Sequence, residues 1–307
     1  MAKFDVKEIK GVIPAMLTFF DKNEEIDEKV TREMTEFMIN AGVHGFYLTG
    51  STGLAYTMTG EERNRVVDIV CDQVKGRVPV IVHVGDIGTK KSIALAEHAQ
   101  DAGADAISSV PPFYWGFGGD AIYNYYKDIS ESVDIPMIVY NVVCAGLMDK
   151  SVIARVASLP NVKGLKYTAT THHEMGSLKR EFGDDFMVYS GCDEMAFSGL
   201  ISGADGIIGS FYNVTPELYL KIYECARNGD VKQGMYLQNI GAEYICKTIA
   251  LGGVPEIHTL MRWRGLDAGY SRRPFIALED AGLEKLKNEL RKIKKQFNTT
   301  ELDIFGI

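Results

Sequence analysis

The sequence predicts an α/β fold, a (β/α)8 TIM barrel followed by a C-terminal helical extension, and three observations carry that prediction. Eight short apolar segments read as strands, at residues 12–17, 45–49, 78–84, 106–110, 136–140, 162–167, 186–190 and 206–209. Amphipathic helical stripes lie between them. The chain, 307 residues long, exceeds the roughly 250 that such a barrel takes, and beyond the eighth strand its pattern is wholly helical.

The strands are continuous in valine and isoleucine, with helices between, as expected of a parallel sheet covered on its outer face. Val30, Met34, Phe37 and Met38 recur at helical spacing and predict one helix with an apolar stripe. Ala94, Leu95, His98 and Ala99 predict another, ending before Gly103. Pro216 opens a helix, residues 231–251 form a second, and Leu283, Leu286, Leu290 and Ile293 mark a last one. The expected division is a barrel over 1–225 and a helical bundle over 226–307. A doubly wound open sheet is the competing fold, but no G-x-G-x-x-G follows an early strand.

Hydrophobic residues make up 46% of the chain and charged residues 24%, as in globular proteins. A formal charge of -8 offers no electrostatic footprint for nucleic acid or an anionic membrane, so small molecules are the expected partners. The five cysteines, Cys71, Cys144, Cys192, Cys225 and Cys246, show no paired spacing, which suggests reduced thiols and a cytoplasmic setting. No segment has the apolar run of a signal peptide or a membrane span.

In a barrel of this kind the residues after each strand converge on one face, where active sites lie. The sixth strand, VKGLKYT, carries Lys166 among apolar neighbours. Taken alone, such a lysine snorkels its ammonium into water. Buried instead, it would lose proton affinity and become an amine able to attack a ketone. Tyr140 ends the fifth strand, so if both side chains point inward the two lie on adjacent strands about 5 Å apart. A phenol there can carry protons to and from a carbinolamine; its alternative role is to cap the barrel core.

After the second strand, Gly50-Ser51-Thr52-Gly53 can form a turn whose amides and hydroxyls hold a carboxylate, or an ordinary glycine-rich turn. Asp193 and Glu194 follow the seventh strand and Ser210 the eighth. Carboxylates accept hydrogen bonds from vicinal hydroxyls and so suit a polyhydroxylated substrate, although Asp193 could equally cap a helix. The six histidines form no ligand cluster; His172 and His173 are expected at the surface, and no metal is expected. The aromatic run from Pro111 to Phe117, with Tyr123, Tyr125 and Tyr126, reads as packing or a subunit interface.

GSTG at 50–53, PPFY at 111–114, VYN at 139–141, GLKYT at 164–168, GCDE at 191–194 and GADGIIGSFYN at 203–213 together resemble the pyruvate-dependent class I aldolases typified by dihydrodipicolinate synthase and N-acetylneuraminate lyase. The resemblance implies a homotetramer that needs no cofactor and acts on a 2-keto sugar acid and pyruvate. It implies an imine on Lys166, proton transfer by Tyr140, and carboxylate binding by Ser51 and Thr52. Tyr114 would reach across a subunit contact, and Thr168, Gly191, Asp193, Glu194 and Ser210 would bind the sugar chain. The stretch Val142-Val143-Cys144-Ala145-Gly146 lacks the arginine of the synthase branch, which favours the lyase branch. Leu54 in place of glutamate, and Val142-Val143 in place of a hydrophobic residue and proline, leave the preferred sugar open. Another aldolase or dehydratase of the family, or a non-catalytic binding protein, are the alternatives.

Overall fold

The computed structural model describes residues 2–307. Its eight strands are β1 (Gly11–Pro14), β2 (Phe46–Leu48), β3 (Val80–His83), β4 (Ala106–Ser109), β5 (Met137–Val142), β6 (Val162–Thr168), β7 (Met187–Ser190) and β8 (Gly206–Gly209). Neighbours pair in parallel in the order β1-β8-β7-β6-β5-β4-β3-β2. A bridge between Ala15 and Tyr47, with the Met16 amide donating to the Tyr47 carbonyl at 2.9 Å, joins the ends and closes the barrel.

Alternation along each strand divides the apolar residues into two layers. Ile13, Tyr47, Ile81, Ala106, Ile138, Met187 and Ile208 fill the barrel interior. Phe46, Leu48, Val80, Val82, Val139 and Leu165 point outward, under the helices. Those helices are α1 (Glu28–Ala41), α2 (Gly60–Val74), α3 (Thr89–Asp101), α4 (Gly119–Ser130), α5 (Lys150–Ala157), α6 (His172–Phe182), α7 (Ala196–Ile201) and α8 (Pro216–Asn228). Asp27 caps α1 through the Val30 amide, and Gly42 ends it in the left-handed conformation. Thr59 and Glu62 open α2 with a reciprocal capping box.

The stripe foreseen on α1 is the buried one, with Val30, Met34 and Met38 in the core. On α3 the expectation was one flank off. Ala94 is exposed, and Ser92, Leu95, Ala96 and Ala99 face inward. A serine can occupy that stripe because its hydroxyl lies 2.8 Å from the Tyr125 hydroxyl.

The extension contains α9 (Val231–Leu251), α10 (Val254–Trp263) and α11 (Asp280–Phe297). The sequence did not announce α10. Seven of its ten residues are buried, so it lacks the polar face that would give it a period. Between α10 and α11 the chain returns to the barrel mouth. Tyr270 pairs with Phe20, and Arg272 donates to the Glu24 and Thr57 carbonyls and to the Glu62 carboxylate.

The ends of β1 and β8 are tied together by one buried side chain, Asn213. Its amide nitrogen donates to the carbonyls of Ala15 and Ser210 at 2.8 and 2.7 Å, and its oxygen accepts from the Leu17 amide at 3.2 Å. Asn213→Ala removes the side-chain partner of the Ala15 carbonyl and the Leu17 amide, while the Ser210 carbonyl keeps the Asn213 backbone amide, and should destabilise the fold by about 2–4 kcal/mol, read as a fall in urea midpoint. An unchanged midpoint would show that the ends of β1 and β8 hold together without it.

Candidate active site

Period-2 alternation on β6 turns Gly164, Lys166 and Thr168 inward. In the register, Lys166 lies between Tyr140 on β5 and Tyr189 on β7. Its side chain does not snorkel: the residue is 4% exposed, and its nitrogen stands 4.1 Å from the Tyr140 ring centroid and 4.2 Å from that of Tyr47. Burial lowers its pKa from the usual 10.5 to about 7, against the opposing pull of Asp193, Cys192 and Cys144. Half of these amines are therefore neutral near pH 7.

Burial acts on Tyr140 in the other direction, raising its pKa, so the resting phenol keeps its proton. The Thr168 and Ser51 hydroxyls beside it oppose that rise. Thr168 Oγ1 is buried but in hydrogen-bond geometry with no described atom, which leaves it available to a ligand. Gly191 gives it space, since a Cβ at 191 would run into Thr168 and touch the end of Lys166.

The turn at 50–53 is bounded by two left-handed residues, Thr49 at φ 50° and Leu54 at φ 55°. His83 secures its first corner: the imidazole Nδ1 lies 3.0 Å from the Thr49 carbonyl, and the Thr49 hydroxyl donates to the His83 carbonyl. Buried Arg63 donates to that carbonyl too, at 2.7 Å, and to the Gly85 carbonyl. Inside the turn, the amides of Leu54 and Ala55 bond back to Ser51 and Gly50. The Thr52 hydroxyl lies 2.6 Å from that of Ser210, joining the turn to the end of β8.

Asp193 is 6% exposed, and its Oδ2 accepts from the Phe211 amide at 2.7 Å. It therefore caps the short helix Phe211–Asn213 after β8, the role the sequence left open for it. Gly209 is required beneath it, because a Cβ there would occupy the carboxylate's place. Burial raises the Asp193 pKa to about 7, with the Phe211 amide the largest opposing influence. Glu194 beside it is exposed.

The histidines fall differently from expectation. His173 is exposed, but His172 is buried, with Nδ1 2.9 Å from the Ser198 hydroxyl. Adjacent helical positions point about 100° apart, so one of the pair turns into the α6–α7 contact. His83 faces inward against Tyr47 and Tyr140. Among the described residues, no three His, Cys, Asp or Glu side chains are grouped to hold a metal ion.

Beside Ser51 opens an apolar cavity of about 220 Å³, lined by Leu54, Tyr56, Val110, Phe113 and Ala145, with Phe275 from the extension. Tyr114 does not line this cavity. It is 76% exposed at φ 75°, and its ring neighbours are Trp115 and Phe117. Tyr125 and Tyr126 are buried and hydrogen-bonded, hence packing. Sequence reasoning overlooked Tyr47 and Phe275. Tyr47 had a signal, a phenol at the inward position of the short run Phe46-Tyr47-Leu48; Phe275 had none, being brought in by a long return of the chain.

A buried amine with a depressed pKa destabilises the fold, because between pH 7 and 10.5 the unfolded chain binds the extra proton. The penalty is complete below about pH 7 and vanishes above 10.5. Lys166→Met should therefore raise stability most at or below pH 7, by up to several kcal/mol, with the gain fading as pH rises. A gain independent of pH would mean that Lys166 titrates normally.

Residues 8–293 match the model of the dihydrodipicolinate synthetase family. A relative named N-acetylneuraminate lyase, from Citrobacter koseri, is 34% identical over 285 residues, covering 92% of this chain and 96% of the relative. The Ruminococcus gnavus sialic acid aldolase structure superposes with a TM-score of 0.89 at 32% identity, covering 94% of this chain and 99% of that one. CdNal from Clostridium difficile, in complex with mannosamine, gives 0.88 at 30%, covering 94% and 100%. With a buried lysine at the end of β6 and this extent of similarity, the chain belongs to the dihydrodipicolinate synthetase family.

Proposed function

We propose that this chain is a Schiff-base aldolase that cleaves N-acetylneuraminate to N-acetylmannosamine and pyruvate. The observation that carries the reading is the Lys166 amine, buried, half neutral near pH 7 and against the ring of Tyr140. A neutral amine attacks the C2 ketone of the open-chain sugar acid, and the resulting carbinolamine must lose water. Tyr140 holds a proton that it can give to the departing hydroxyl, which leaves a cationic imine on Lys166 and a phenolate at Tyr140. The phenolate then accepts the C4 hydroxyl proton as the C3–C4 bond breaks. The bonding pair becomes the C2–C3 double bond of an enamine, the imine electrons return to nitrogen, and the aldehyde departs. Protonation at C3 and hydrolysis release pyruvate.

In this reading Ser51 and Thr52 hold the substrate carboxylate, and the sugar chain lies along Thr168, Gly191, Asp193, Glu194 and Ser210. Residues 1–225 carry the chemistry and 226–307 brace it. The assembly is a cytoplasmic homotetramer in which Tyr114 of one protomer reaches the neighbour's site. The exposed, left-handed Tyr114 and the unfilled apolar cavity beside Ser51 support that exchange. The absence of an arginine over 142–146 disfavours a substrate with a second carboxylate.

Incubation with pyruvate and borohydride should add the reduced pyruvyl mass at Lys166 alone, and the trapping rate should rise with pH through about 7. Lys166→Ala should abolish both labelling and release of pyruvate from N-acetylneuraminate. Labelling without cleavage of that sugar acid would point to a different keto-acid substrate; no labelling would leave a binding protein. Mixing Tyr114→Phe protomers with Lys166→Ala protomers should restore activity that neither shows alone, because one site in a hybrid then has both intact residues. No recovery on mixing would count against the crossing.

A further inference from the structure

One neighbour of the reacting nitrogen, Tyr47, takes no part in these proton transfers. We infer that Tyr47 is an electrostatic positioning residue whose ring face stabilises the cation formed on the Lys166 nitrogen. The inference rests on the imine reading. The nitrogen sits in a corner between two rings, those of Tyr47 and Tyr140, which meet at 80° with centroids 5.9 Å apart. The Tyr47 hydroxyl points elsewhere, donating to Ser108 Oγ at 3.0 Å, so the ring face and not the hydroxyl meets the amine.

The placement is built. Tyr47 is fully buried, the His83 ring packs beside it, and Gly50 lies so close that a Cβ there would stand 2.7 Å from the Tyr47 ring. The first glycine of the 50–53 turn thus serves the ring as well as the turn.

A ring face interacts weakly with a neutral carbinolamine and strongly with a cationic imine, so it lowers the energy of the charged intermediate selectively. Asp193 also favours positive charge on Lys166, but through a carboxylate that itself gains and loses a proton, whereas the ring face keeps its negative potential throughout. Cys144, Cys192 and Tyr189 are neutral when protonated. Burial keeps the His83 imidazole uncharged, while buried Arg63 donates to the His83 carbonyl. Tyr140 supplies the second face but changes charge during turnover, whereas burial keeps the Tyr47 phenol protonated.

The test compares the full-length protein with Tyr47→Phe, Tyr47→Leu and phenylalanines of increasing fluorination placed at position 47, which keep the ring's shape while emptying its face of negative charge. The readout is pyruvate trapped at Lys166 by borohydride as a function of pH. Tyr47→Phe should trap within about threefold of the natural protein, and Tyr47→Leu about tenfold less, with stepwise loss along the fluorinated series. The pH midpoint should fall in Tyr47→Leu, because the ammonium loses its ring as well. Equal losses in Tyr47→Phe and Tyr47→Leu, no trend with fluorination, or a midpoint that rises because water has entered would each overturn the proposal. Failure of the natural protein to trap pyruvate would instead overturn the imine reading itself, and this inference with it.

Discussion

Keeping water from one amine is the constraint around which this barrel is organised. An ammonium in an apolar interior is so unfavourable that the group gives up its proton near neutrality. The strands around Lys166 accordingly place small residues where bulk would push them apart. A Cβ at Gly164 would meet the Met187 carbonyl at 2.7 Å, so only glycine lets β6 lie against β7. Gly191 and Gly209 do the same for Thr168 and Asp193. The glycines read in the sequence as motif letters are positions where the pocket has no volume to spare.

Much of the architecture was legible because barrels depend on periodicity, and periodicity survives in a single sequence. All eight strands appear where apolar runs predicted them, the eighth with both ends as expected and the others with ends shifted by at most three residues. The errors share a cause. The α3 stripe was displaced because serine and alanine carry little hydrophobic signal, and α10 was missed because a helix buried nearly all round shows no alternation. His172 is buried for a reason the sequence does not display, a hydroxyl waiting for it on α7.

The site was legible to the extent that strand ends converge. Lys166 and Tyr140 come together because they share a register position on paired strands, which alternation alone could anticipate. What alternation could not supply is the environment on either side. The His83 bond to the Thr49 corner, the Arg63 bond to the His83 carbonyl, and the arrival of Phe275 from the extension are contacts between residues far apart in sequence. Leu54, the departure most visible in the motif, is explained locally: it is buried, holds a left-handed corner and lines the apolar cavity where a charged side chain would be unpaired.

The depressed lysine and the raised aspartate are best understood together. Burial pushes each toward its neutral form, and each pulls the other back toward charge. Passing between the neutral pair and the ion pair leaves the net charge of the pocket unchanged. The arrangement depends on Asp193 keeping its bond to the Phe211 amide, since that bond holds the carboxylate near the amine in both states. A residue that looks in isolation like a helix cap thus also opposes the effect of burial on Lys166, and both depend on the same geometry.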